Sequence, residues 1–106
     1  MTPGLYLADS FLRAFARIPH AQQKKVQDFL GKFRTDPKAA GIHYAPIRSA
    51  RDDRVRTVRV DLSYRAVMLH PESGADFVMV WVDHHDEAMN WAQNKSFPVN
   101  PVTGAL

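Results

Sequence analysis

The apolar residues of this chain change their spacing once, and that change constrains the fold more than any other feature. Up to residue 33 they recur at helical intervals; from residue 54 onward they alternate or merge into short runs, as strands require. Val26, Phe29, Leu30 and Phe33 stand at i, i+3, i+4 and i+7, a single stripe on a helix over residues 20–33. Gln22, Gln23, Lys24, Lys25, Gln27 and Asp28 fill its other face. A shorter helix precedes it, capped by Asp9 or Ser10, with Phe11, Leu12 and Phe15 on its apolar face and Pro19 ending it. So few residues join the two that they must form a helical hairpin.

Residues 4–8 read as a short first strand. After the hairpin, Thr35 and Asp36 lead into Pro37, which pushes its predecessor out of helical geometry. A loop follows through Gly41 and Pro46, with a short extended piece near 42–47. Residues 54–60 then alternate, with Arg56, Val58 and Val60 on one side and Val55, Thr57 and Arg59 on the other. Asp61, Leu62 and Ser63 make a turn, residues 64–70 the next strand, and 71–75 a second turn rich in breakers. Residues 76–82 are apolar enough to be covered on both faces and so central. Asp83 is expected to cap a last helix over 84–94, whose first turn carries Asp86 and Glu87 where the dipole favours them.

The fold class implied is α+β: an N-terminal helical hairpin packed on one face of an antiparallel sheet of about four strands, then a short C-terminal helix. Arg59 and Arg65 fall on the opposite face, which should be basic and concave. Residues 1–95 read as one domain and 96–106, with two prolines and no periodicity, as a tail or linker.

Composition removes several function classes. With no cysteine there is neither a disulfide framework nor a thiolate metal site. The start lacks a basic region followed by a long apolar stretch, and the longest apolar run, 77–82, is too short for a bilayer, so a cytoplasmic protein without membrane attachment is expected. Asp83 to Glu87 contain no His-Glu-x-x-His spacing, and there is no Gly-rich phosphate loop or Gly-x-Ser-x-Gly elbow, so neither metal nor cofactor is expected. Six of the fourteen Lys and Arg residues lie between Arg48 and Arg65, and all six are arginine. A planar, permanently charged fork suits phosphate, and such a segment is a common footprint of a nucleic-acid binder.

The ordered combination of hairpin, the segment from Arg56 to Val67 with its Tyr64-Arg65 pair after the turn, and the run from Val80 to Ala88 resembles the RelE/ParE toxins over roughly residues 4–95. The resemblance implies a metal-free, cofactor-free endoribonuclease that cuts mRNA on the ribosome and is silenced by an antitoxin protein. It assigns Arg65 to the scissile phosphate, His85 to the acid, and Glu87 to the base or to orienting a histidine. Arg54, Arg56, Arg59, His84 and Trp91 would hold RNA, Trp91 by stacking on a base or, alternatively, by packing the helix onto the sheet. RelE carries lysines on the strand before the turn where this sequence has Val55 and Thr57, so proton transfer would rest on histidine and glutamate. Two alternatives stay open: a ParE-like inhibitor of DNA gyrase, and a non-catalytic nucleic-acid-binding domain. For the second, Phe97 to Gly104 resembles the joint between a RelE-like domain and a UvrD-like DNA helicase.

Overall fold

The computed structural model describes residues 5–36, 44–46, 54–69 and 77–94. The loop at 37–43, the turn at 71–75 and the tail at 96–106 lie outside the described residues, and with them the expected domain boundary. In chain order the elements are β1 (Leu5–Leu7), α1 (Asp9–Arg17), α2 (His20–Thr35), β2 (Ala45–Pro46), β3 (Val55–Arg59), β4 (Tyr64–Leu69), β5 (Phe77–His84) and α3 (His85–Gln93).

The strands form one sheet in the order β1-β5-β4-β3-β2. The pairs β2–β3, β3–β4 and β4–β5 are antiparallel, but β1 runs parallel to β5, so the sheet has five strands and is mixed rather than antiparallel with about four. The reason is connectivity: parallel neighbours need a long crossover, and the helical hairpin with β2–β4 supplies it. Two layers pack on the sheet. Phe11, Ala14, Val26, Phe29 and Phe33 of the hairpin meet Val58, Ala66, Met68, Phe77, Met79 and Val82, all buried. Phe33 stands edge-on to Phe77, their ring centroids 5.0 Å apart. On the opposite face Ala88 and Ala92 of α3 cover Val55, Val67, Leu69 and Val80. That face is therefore not an open basic concavity. Its apolar part is roofed by α3, whose small residues allow close approach, and the arginines lie toward one end.

Three local expectations are corrected. Leu12 is 48% exposed while Ala14 is buried, because α1 turns Phe11, Ala14 and Ile18 inward. Neither Asp9 nor Ser10 caps α1; Ala8 occupies the N-cap, and the Ser10 hydroxyl donates to the Val80 carbonyl at 2.6 Å, fastening the helix to β5. Asp83 does not cap α3 either. It still pairs within β5, its Oδ1 accepts the His84 amide at 2.8 Å, and His84 holds the N-cap position.

The β4–β5 ladder carries a bulge. Val67 pairs with Trp81 but Met68 pairs with Met79, leaving Val80 as the extra residue. Phe33→Ala should cost about 3–5 kcal/mol, whereas Leu12→Ala should stay within about 0.5 kcal/mol. Denaturant midpoints of the two variants check this; equal losses would mean that α1 presents the other face.

Candidate nucleic-acid interface

The turn between β3 and β4 is built by one carboxylate. Asp61 Oδ1 accepts the amides of Ser63 at 2.8 Å and Tyr64 at 2.7 Å, the pattern by which aspartate closes a turn on itself. Its Oδ2 receives Lys25 Nζ from α2 at 3.3 Å. Partial burial pushes the Asp61 carboxyl up, but the two amides and Lys25 outweigh it and hold the group below the usual carboxylate range. The turn then grips the next strand, because Arg65 Nη1 donates to the Asp61 carbonyl at 2.6 Å and to the Tyr64 carbonyl at 3.1 Å.

Arg59 is the direct partner of Arg65 across the β3–β4 ladder, so both guanidinium groups rise from the same face. Burial, and then the neighbouring Arg59, pull Arg65 down from the ordinary arginine range, with Asp61 opposing. The Arg59 Nε is buried with no hydrogen-bond partner. Asp83 sits opposite Arg65 on β5, yet it accepts the His84 amide, and among the described residues no carboxylate forms an ion pair with Arg59 or Arg65. Two adjacent cations, with only the nearby Asp61 to offset them and no direct ion pair, are an electrostatic cost in the free protein that an anion relieves.

The start of α3 reaches the same end of the sheet. The His85 amide donates to the Ser63 carbonyl at 2.7 Å, tying this helix to the arginine-bearing turn. The His85 ring is half exposed, and its Nδ1 lies 3.0 Å from Asp86 Oδ1. With the Nδ1 proton donated there, Nε2 is the nitrogen left to face a substrate. Glu87 is exposed in the first turn of α3.

The remaining residues singled out in the sequence go elsewhere. Arg56 pairs with Met68 on the hairpin face, and its Nη1 donates to the Val55 carbonyl at 3.0 Å. Arg54 is half buried just before β3. His84 is turned to the hairpin face, where its ring lies 4.4 Å from that of Tyr64 and its Nε2 shares a hydrogen bond of 3.1 Å with the Tyr64 hydroxyl. Trp91 stacks on Trp81 at 4.6 Å, their planes 7° apart, and packs α3 on the sheet. Arg59 and Arg65 thus share one face beside the β3–β4 turn, to which the His85 backbone is tied, with Glu87 in the same first turn of α3; Arg56 and His84 fall on the hairpin face. Asp61, Lys25 and Tyr64 were missed. An aspartate two residues before Ser63 in a hairpin turn was a legible signal for the first, whereas the reach of Lys25 from α2 left none.

No protein-family model matches the chain, and no curated protein matches it in sequence. Solved structures do match. The toxin–antitoxin complex RelBE2 of Mycobacterium tuberculosis contains a chain that superposes with a TM-score of 0.64 at 17% identity, covering 80% of this chain and 100% of that one. The RelE–RelB complex of the archaeon Pyrococcus horikoshii gives 0.63 at 14%, covering 83% and 100%. A free mutant of Escherichia coli toxin RelE gives 0.61 at 13%, covering 88% and 95%. The fold is that of the RelE-like toxins.

Acid should weaken this site in a defined direction. A carboxyl held low in the folded state stabilises it above the unfolded-state value, and that contribution is lost as pH falls through the folded value. Asp61→Ala should cost about 1–3 kcal/mol at neutral pH and flatten the fall of stability with acid. Denaturant midpoints between neutrality and about pH 3 measure both effects. A variant as acid-sensitive as the parent would place the titration elsewhere.

Proposed function

We propose that this chain is the toxin of a toxin–antitoxin pair and acts as a ribosome-dependent mRNA endoribonuclease needing no metal or cofactor. The observation that carries the reading is the pair of cross-strand arginines, neither of them ion-paired to a carboxylate among the described residues, at the rim where α3 begins. The RelE-like fold supports it, since the comparison structures from M. tuberculosis and P. horikoshii are toxin–antitoxin complexes, and an antitoxin protein is the expected partner here.

The chemistry follows from the residues. Arg65 and Arg59 hold the scissile phosphate and compensate the charge that grows on it. Glu87 takes the proton of the ribose 2′-hydroxyl, whose oxygen attacks phosphorus. The 5′-oxygen leaves with a proton from Nε2 of the His85 imidazolium, which Asp86 steadies through Nδ1. The products are a 2′,3′-cyclic phosphate and a 5′-hydroxyl.

In a translating extract the wild-type chain should cut mRNA, in the presence of a chelator as well, and its expression should arrest growth. Arg65→Ala should lower the cleavage rate about 10²–10³-fold and His85→Ala about 10²–10⁴-fold. Intact transcripts with the wild-type chain would overturn the proposal. RNA binding without cutting would leave the non-catalytic nucleic-acid-binding reading.

A further inference from the structure

On the hairpin side of the sheet, at the same end as the arginines, α1, β4 and β5 enclose a cleft of about 210 Å³. Ala14, Ile18 and Pro19 give it apolar walls, and Arg17, Tyr64 and His84 line the rest with polar side chains. The side chains of Trp81 and Asp83 turn to the other face, Trp81 onto Trp91 and Asp83 beside Arg65. Among the described residues, then, no carboxylate side chain enters the cleft.

Arg17 stands exposed in the last turn of α1, and no described carboxylate forms an ion pair with it. The His84 ring is exposed too, but it is held in one pose. It stacks on Tyr64 with centroids 4.4 Å apart, and its Nε2 lies 3.1 Å from the Tyr64 hydroxyl. Burial, and then the carboxylates of Asp83 and Asp61, raise that hydroxyl above its ordinary range, so it stays protonated and donates to Nε2. The proton of the neutral imidazole then sits on Nδ1, on the side of the ring away from Tyr64. A guanidinium fork beside a fixed N–H donor is a combination that holds phosphate. Tyr64 and Arg65 are consecutive on β4, so this cleft and the arginine pair lie back to back at one end of the sheet. A single strand rounding that end meets cations on both faces.

We propose that the cleft is a second phosphate subsite, where Arg17 and the His84 ring hold a neighbouring phosphate of the strand whose scissile phosphate lies on Arg59 and Arg65. The inference rests on the RNA reading above and deepens it, since the strand bends over the end of the sheet instead of lying along one face. Tyr64 is a positioning residue that acts through His84. Both contacts are to the backbone, so the subsite adds affinity without sequence preference.

Two titrations of the full chain test this. In the first, inorganic phosphate is added and the His84 ring resonances are followed. They should shift saturably in the wild type and in Arg59→Ala/Arg65→Ala, and stay still in Arg17→Ala, with circular dichroism confirming that each variant folds. In the second, the salt dependence of single-stranded RNA binding is measured. Arg17→Ala should make the log–log slope shallower by about 0.7, in addition to the loss from the arginine pair. Its affinity at low salt should fall about three- to fivefold. An unmoved His84 signal in the wild type, or one that still shifts in Arg17→Ala, would overturn the subsite. RNA binding whose slope ignores Arg17→Ala would restrict the cleft to free phosphate and overturn its link to a strand. A His84 shift that depends on Arg17, in a chain that binds no RNA, would leave the anion site standing and remove the RNA reading.

Discussion

The register between β4 and β5 is the constraint on which the rest of the molecule hangs. Because side chains alternate along a strand, it sorts two neighbouring rows onto opposite faces: Arg65 beside Asp83 on one, Tyr64 beside His84 on the other. The bulge at Val80 sets this sorting, since without the extra residue every side chain from Trp81 to His84 would change face. The same register sends Met79 and Val82 into the hairpin core and Val80 under α3, so packing on both faces holds the functional rows in place. A slip of one residue would place Asp83 in the hairpin layer and exchange the partners of both rows.

Electrostatics works against packing at the end of this sheet. Arg59 and Arg65 repel each other, and the fold tolerates the pair because Asp61 organises the turn between them. The backbone carbonyls of Asp61 and Tyr64 absorb part of the Arg65 charge, and the carboxylate is itself held by Lys25 of α2. The hairpin thereby does more than cover the core: it steadies the arginine-bearing turn from the opposite layer. Exposed ion pairs contribute little on their own, so the Lys25 contact matters for orientation more than for stability. An anion seated on the two guanidiniums would remove the repulsion, which is why a cation pair of this kind reads as a binding site rather than as a stabilising device.

Local signals in the sequence carried much of this. The stripe from Val26 to Phe33 and the alternation through Val55 to Arg59 each name an element and the face it buries, because each is read from neighbours within a few residues. The pairing of Arg59 with Arg65 was legible for the same reason, a short turn fixing the register of a hairpin. What failed was non-local. The parallel pairing of β1 with β5 joins residues distant in the chain, Leu5 with Phe77, and nothing in Leu5 to Leu7 encodes it. Leu12 and Ala14 traded places because the sheet, not hydrophobicity alone, decides which side of α1 turns inward. Asp83 looked like a helix cap, but the β4–β5 ladder extends through it and moves the start of α3 on to His85. In the site, the convergence of His85 on the arginine turn follows from one backbone hydrogen bond to Ser63, which no spacing rule anticipates.

The most direct measurement is the salt dependence of single-stranded RNA binding by the wild-type chain and by the Arg59→Ala/Arg65→Ala double variant. If the two guanidiniums hold phosphate, the log–log slope should become shallower by about 0.7 for each phosphate that is no longer neutralised, with affinity falling most at low salt. An unchanged slope and affinity would show that the cation pair at the end of the sheet is not where nucleic acid binds.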